Sequence, residues 1–204
     1  KQKTAYESSL GLVGSEMWYK RQGMPLQYAN ALRRICLNGV PIFAIDTVDI
    51  LENSSILADE GIAHRLGLIP IKTEFSSIDS NIESDKVMLT LDSGDTTETR
   101  TIFSGDIQSQ DNVIKPISEK IPIVTLAPNQ KIKFEAHARL GRGTDHAKWN
   151  SANIATLTET DKDDEHILTV ETTGALEPKY IILASINELS KRLDIFKETI
   201  SDLK

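Results

Sequence analysis

The 204-residue chain holds one cysteine, Cys36, and that scarcity removes several chemistries at once. An internal disulfide needs two cysteines, and thiolate-built zinc or iron–sulfur sites need more, so none can form within the chain. A reducing, cytoplasmic setting fits such a composition. Basic residues are also in short supply: 23 Lys and Arg stand against 30 Asp and Glu, a formal charge of -7. Non-specific binding to a phosphate backbone depends on clustered cations that release counterions, so only a local basic patch stays open as a nucleic-acid contact. No apolar run approaches the roughly 20 residues that span a bilayer, and no charged-then-apolar leader opens the sequence. The four histidines, His64, His137, His146 and His166, share no metal-ligand spacing. A GxSxG element is absent, and GRG at 141–143 is too short to cradle a phosphate. Nothing in this inventory resembles an active site.

What the chain does hold is apolar surface in unusual places. With 39% hydrophobic and 26% charged residues it can bury a sizeable core, as one large domain or two small ones. The stretch YANALRRICLNGVP, residues 28–41, is mostly apolar yet sets two arginines side by side. It belongs to a helix expected over 26–38 and stopped by Gly39 and Pro41. At ~100° per residue, Leu26, Tyr28, Ala29, Ala31, Leu32, Ile35, Cys36 and Leu37 spread over roughly 240°, far wider than the stripe one core requires. Such a helix needs covering on two sides. Arg34 falls on the polar arc with Gln27, Asn30 and Asn38, whereas Arg33 lies inside the apolar arc between Ala29 and Leu37. Two readings of Arg33 stay open. It finds a carboxylate or carbonyl inside the fold, or its head group snorkels to water along its own stem.

Strand-like runs follow at 42–45, 87–92, 99–103 and 121–126. The clearest is KIKFEAHARL at 131–140, where Ile132, Phe134, Ala136, Ala138 and Leu140 alternate with polar residues. Runs at 153–159 and 166–172 give two more strands around the acidic loop ETDKDDE, and a second helix is expected between Ala58 and Pro70, weakened by Gly61 and Gly67. Segments 75–85 and 105–112, rich in Ser and Asp, read as solvated loops. Residues 131–148 carry Lys131, Lys133, Arg139, Arg142 and Lys148 against Glu135 and Asp145. That local excess suits nucleic acid, an acidic partner or simply a wet strand face. Trp149 reads as a core or interface anchor.

The strongest pattern closes the chain. After Gly174 and Pro178, the residues Ile182, Ile186, Leu189, Leu193, Phe196, Ile200 and Leu203 recur at spacings of four and three, a heptad seam. Between them only Leu183, Ala184 and Ile195 are apolar, so the stripe is narrow and suits another helix. At ~1.5 Å per residue the helix is about 40 Å long, which outruns a small domain and favours packing against another chain. Packing on its own sheet is the alternative.

Three segments, YANALRRICLNGVPIFAID, ILADEGIAHRLGLIPIK and LGRGTDHAKWN, resemble in this order segments of the D-type subunits of archaeal DNA-directed RNA polymerase. That family is related to the third-largest subunit of eukaryotic RNA polymerase II and, more distantly, to bacterial alpha. TVETTGALEPKYIILASI resembles its final strand, glycine turn and C-terminal helix. The resemblance implies an α+β fold. A dimerisation domain built from both chain ends, 1–46 and 167–204, has helices on an antiparallel sheet and is interrupted by an inserted β-rich domain at 47–166. It further implies a non-catalytic assembly subunit. Tyr28, Leu32, Ile35, Ile182, Ile186, Leu189, Leu193, Phe196 and Ile200 would pair it with a small L-type subunit, and the pair would then seed assembly of the large catalytic subunits. Arg33, Arg34, His146, Lys148 and Trp149 would face a large subunit, the last three the second-largest. DNA contact would come through the complex alone, with no membrane involved.

Two departures from the family pattern matter. The cysteine-rich ferredoxin-like insertion of many archaeal members, and the cysteine zinc loop of eukaryotic relatives, cannot exist with Cys36 alone, so no cofactor is expected. Gly61 also stands where a bulkier apolar residue is usual. Two other classes of function stay open: a homodimeric adaptor using the same seam, and a hydrolase built on Asp and His groups, which would need a convergent pocket.

Overall fold

Among the described residues, alternating apolar and polar side chains build three antiparallel sheets. The computed structural model describes residues 16–22, 24–76, 86–95, 97–159 and 165–202. In the first sheet β1 (Glu16–Gln22), β9 (Glu165–Thr172) and β8 (Ala152–Glu159) lie in the order β1-β9-β8. The second runs β2 (Ile42–Asn53), β7 (Ile132–Gly141), β3 (Val87–Asp92) and β5 (Gln108–Ser109). In the third, β4 (Arg100–Phe103) pairs with β6 (Pro122–Leu126). Helices α1 (Leu26–Asn38), α2 (Asp59–Gly67) and α3 (Pro178–Asp202) complete an α+β architecture with β-rich structure inserted between the terminal parts. The acidic stretch 160–164, residues 77–85 of the loop expected at 75–85, and Leu203 lie outside the described residues.

Two apolar cores result. One is filled by the inward face of β7 (Ile132, Phe134, Ala136, Ala138, Leu140), by Leu89 and Leu91 of β3, and by Ile62 and Leu66 of α2. The other lies between the first sheet and the helices: Leu32, Ile35 and Cys36 of α1 and Ile181, Ile182 and Ala184 of α3 cover Ala155, Leu168 and Val170. β2 joins them. Successive strand residues point to opposite faces, so Phe43 and Ile45 enter the first core while Ile42 and Ala44 enter the second. Two bulges interrupt β2, leaving Asp46 and Leu51 without a partner in β7. A bulge re-aims its extra side chain, and both residues matter below.

An expected boundary between 166 and 167 falls inside β9. It would also separate β9 from β8, with which it pairs from Ala152↔Thr172 to Glu159↔His166. β8 therefore packs with the terminal elements: its Ala152 and Ala155, brought to one face by a bulge between Ala152 and Ile154, lie in their core, while Ile154 is left exposed.

In α2, a Cβ placed on Gly61 would meet no atom within 4 Å. The glycine is therefore no packing requirement of this chain, and only its backbone entropy acts on the helix. Gly61→Ala is expected to raise stability by about 0.5–1 kcal/mol, read as a higher urea midpoint at unchanged slope.

Candidate assembly surfaces

α3 has two halves with different surroundings. Its first turns bury Ile181, Ile182, Ala184 and Ser185 against the chain's own sheet. From Ser190 to Asp202 every residue is exposed. Twenty-five residues span about 37 Å at ~1.5 Å each, and burial against the chain's own core stops at Leu189. The heptad residues divide accordingly. Ile182 is core, Leu189 packs part-buried on that core, and Ile186, Leu193, Phe196 and Ile200 remain outside, Phe196 at 64% exposure. Packing on the chain's own sheet thus holds for the first half of the helix, and the second half is left exposed.

α1 divides in the same way. Ala29, Leu32, Ile35 and Cys36 are buried, while Leu26 and Tyr28 are about half exposed. Burial pushes the Cys36 thiol up to about 11, against a lesser pull from Ser185, so it stays protonated and inert. The two arginines separate cleanly. Arg33 Nη1 donates to the Ala155 carbonyl of β8 at 3.3 Å and its Nε to Asn30 Oδ1 at 3.0 Å. Its charge thus meets a carbonyl at an edge strand of the sheet. Arg34 is exposed and has no hydrogen bond or ion pair with another described residue.

The loop from Gly141 to Asn150 is held by close approaches that require glycine. A Cβ on Gly141 would fall 2.4 Å from the Trp149 indole, and one on Gly143 would fall 2.8 Å from the Asn38 Cα. Between these glycines Arg142 reaches across the fold. Its Nη1 donates to the Gly39 carbonyl at the end of α1, and its Nη2 to Glu188 Oε2 on α3 at 3.2 Å. Glu188 also accepts from Arg192 at 2.8 Å. GRG is therefore a clamp between the two helices, not a phosphate cradle. Arg142→Ala is expected to lower stability by about 1.5–3 kcal/mol in urea unfolding, the usual range for hydrogen bonds to a charged group.

Trp149 is 3% exposed and belongs to the terminal core, so it has no free face for a large subunit. Its Nε1 donates to the Arg139 carbonyl at 3.3 Å, and Arg139 and Lys148 each hold a cation 4.3 Å from the ring centroid. The bulge residue Asp46 ties those cations together, accepting from Arg139 Nε at 2.7 Å and Lys148 Nζ at 2.9 Å. His146 is exposed and accepts at Nδ1 from the Lys148 amide at 3.1 Å, capping the short turn Ala147–Trp149. Of the five residues expected to face a large subunit, then, Arg34 and His146 present open surface. Arg33, Lys148 and Trp149 are engaged within the chain.

Burial pushes the Asp46 carboxyl up, but hydrogen bonds and charge from Arg139 and Lys148 outweigh it and hold the group below its ordinary 3.8. A carboxylate lowered in the folded state binds fewer protons there than in the unfolded one. Its contribution is complete above the ordinary value and disappears as pH falls through the lowered one. Asp46→Asn should therefore reduce stability at pH 7 and flatten its decline below about pH 4, measured by urea unfolding across pH.

The basic stretch is largely neutralised in place. Lys131 pairs with Asp95, Lys133 with Asp92 at 2.8 Å, Arg139 and Lys148 with Asp46, and Arg142 with Glu188. Among the described residues no group of three or more His, Cys, Asp or Glu is placed to hold a metal ion, and no helix is long and apolar enough to cross a membrane.

Comparison with known proteins decides the family. Residues 48–161 match the model described as the RNA polymerase Rpb3/RpoA insert domain. DNA-directed RNA polymerase subunit Rpo3 of Methanocaldococcus jannaschii is 35% identical over 184 residues, which cover 90% of each chain. The chain belongs to the archaeal Rpo3 family of D-type polymerase subunits. The Rpo3 subunits of Thermococcus kodakarensis and Pyrococcus horikoshii are 50% and 46% identical over 129 residues, covering 62% and 63% of this chain and 49% of each relative. The chain thus spans about half the length of those two relatives. The insert-domain match runs through β8, whose strand partner is nevertheless β9 in the terminal sheet. Within this Rpo3 family member, sequence reasoning missed Asp46, Arg139 and Glu188 as structural partners. The signal for Arg142 was present, an arginine between two glycines, but its target lies 46 residues away in the chain.

Proposed function

We propose that this chain is a non-catalytic assembly subunit of a DNA-directed RNA polymerase, pairing through α1 and α3 with a small L-type subunit. The observation that carries the reading is the outer half of α3, exposed from Ser190 to Asp202 with an apolar seam along it. Full burial of an apolar side chain contributes about 1.5–3 kcal/mol. Ile186, Leu193, Phe196 and Ile200 are already about half covered by their own helix, so the four together would gain about 3–6 kcal/mol. Association costs at least about 4 kcal/mol in lost freedom. That margin is narrow, and in this reading the exposed residues Leu26 and Tyr28 of α1 and Leu183 of α3 add to the pairing face.

In this reading β1, α1, the start of β2, β8, β9 and α3 form the pairing unit and the remainder forms the insert. The pair would offer Arg34 to a large subunit and His146 to the second-largest one. DNA would be reached only through the assembled enzyme. A hydrolase is disfavoured: in the cavity that brings Asp46 near His64 and His146 the carboxylate is already held by Arg139 and Lys148, and the His137–Asp49 contact of 3.6 Å lies on the open face of the second sheet. Size-exclusion chromatography with light scattering, on this chain alone and mixed with an L-type subunit, tests the proposal. A 1:1 heterodimer is expected; a tight homodimer indifferent to the added subunit would replace this reading with the homodimeric adaptor.

A further inference from the structure

We propose that the tip of the insert is a second docking point, at which Ile56 enters a shallow apolar socket rimmed by Lys and Arg on another protein subunit. The inference rests on the polymerase-assembly reading but concerns the opposite core from the pairing face. Ile56 is 87% exposed, more than any other large apolar side chain among the described residues. Loop tips that carry no function are ordinarily small and polar, so an isoleucine held out in water calls for a cause.

The loop beneath it is over-determined. Asn53 Nδ2 donates to the Leu57 carbonyl at 2.9 Å and to Asp59 Oδ1 at 2.6 Å, while its Oδ1 accepts from the Ser55 amide at 3.0 Å and hydroxyl at 2.7 Å. Ser54 is tied to the β7 side by three bonds: its amide and hydroxyl donate to the Lys131 carbonyl at 3.0 and 3.3 Å, and its hydroxyl accepts from the Lys131 amide at 2.7 Å. Residues on both sides of Ile56 are thus fixed before any partner arrives, which removes the ordering cost that weakens flexible contacts. Leu51, the unpaired residue of the second β2 bulge, stands 55% exposed on the same end of the strand. A pre-organised apolar knob of this kind is what a binding hot spot needs.

Charge identifies the chemistry of the socket. Glu52, Asp59, Glu60, Asp92 and Asp95 are exposed around this end of the insert, against Lys131 and Lys133, which Asp95 and Asp92 already partner. Surplus carboxylates repel phosphate backbones and anionic lipid alike, and they favour a protein surface whose rim is basic.

Photo-crosslinking in the intact polymerase, assembled around the full chain, tests this. A benzoylphenylalanine at position 56 should link to a subunit other than the small pairing subunit, within a peptide where apolar residues are flanked by Lys or Arg. The same probe at position 196, on α3, should link to the small subunit. Ile56→Asp should lower retention of the linked subunit at least tenfold while Ile56→Val preserves it, and added salt should weaken the contact. If position 196 links and position 56 does not, or if Ile56→Asp assembles like wild type, the second docking point is refuted and the pairing reading survives. If neither position links, both fall.

Discussion

Replacing Leu193 and Phe196 together by aspartate is expected to abolish pairing with the small subunit while the chain stays folded. Both side chains lie on the exposed half of α3, at 47% and 64% exposure, and neither joins the chain's own core. The folded monomer therefore loses almost nothing, and surface substitutions of this kind change stability by within about 0.5 kcal/mol. In the complex each aspartate would sit desolvated in an apolar seam. A loss of about 3–4 kcal/mol for each is expected, roughly two to three orders of magnitude in affinity. Light scattering of the mixed subunits reads the first effect and circular dichroism the second. Leu189 is the wrong position for this test: it packs part-buried on the terminal core, so a charge there would damage the fold and the interface together.

Trp149→Ala should instead destabilise the chain itself, by about 3–5 kcal/mol, the range for deleting a buried aromatic side chain. The ring fills the space that Gly141 leaves open, bonds the Arg139 carbonyl and carries two cations on its faces. Its removal opens a cavity and frees the loop that presents His146. Trp149→Phe keeps an aromatic face but loses the Nε1 bond, which contributes about 1 kcal/mol, and part of the buried volume, so its cost falls below that of alanine. Urea unfolding distinguishes this account from a surface role, for which the alanine variant would unfold within about 0.5 kcal/mol of wild type.

Much of the architecture was legible because local signals agreed with one another. α1 spans the expected 26–38, since Gly39 and Pro41 end it and its apolar arc is unmistakable. β7 alternates strictly and buries every apolar position that the alternation marks. β2 was legible for four residues of twelve. Its bulges at Asp46 and Leu51 shift the inward set from Phe43 and Ile45 to Val48 and Ile50, so no single period of two runs through it. β1 was missed for a related reason: Met17 and Tyr19 face the core, but Trp18 between them is a large exposed aromatic, and the alternation is blurred.

The candidate site was legible as a pattern and not as an allocation. A heptad count marks Ile182 and Leu193 alike, yet Ile182 is buried by its own sheet because Ile181 beside it turns the first half of α3 inward. Arg33 and Arg34 are neighbours in sequence whose fates depend on β8, a strand more than a hundred residues away. Long-range partners of this kind, Arg142 with Glu188 and Asp46 with Lys148, carry no local period. They become visible only when the chain is closed.

The central claim is that the outer half of α3 remains uncovered until a different polypeptide packs on it. Hydrogen exchange of residues 190–202, in the chain alone and after addition of the small L-type subunit, tests it most directly. The account predicts fast exchange along these turns in the lone chain and protection of at least a hundredfold on pairing, with the buried turns at 181–185 slow in both. Equal protection of residues 190–202 with and without the added subunit would contradict it.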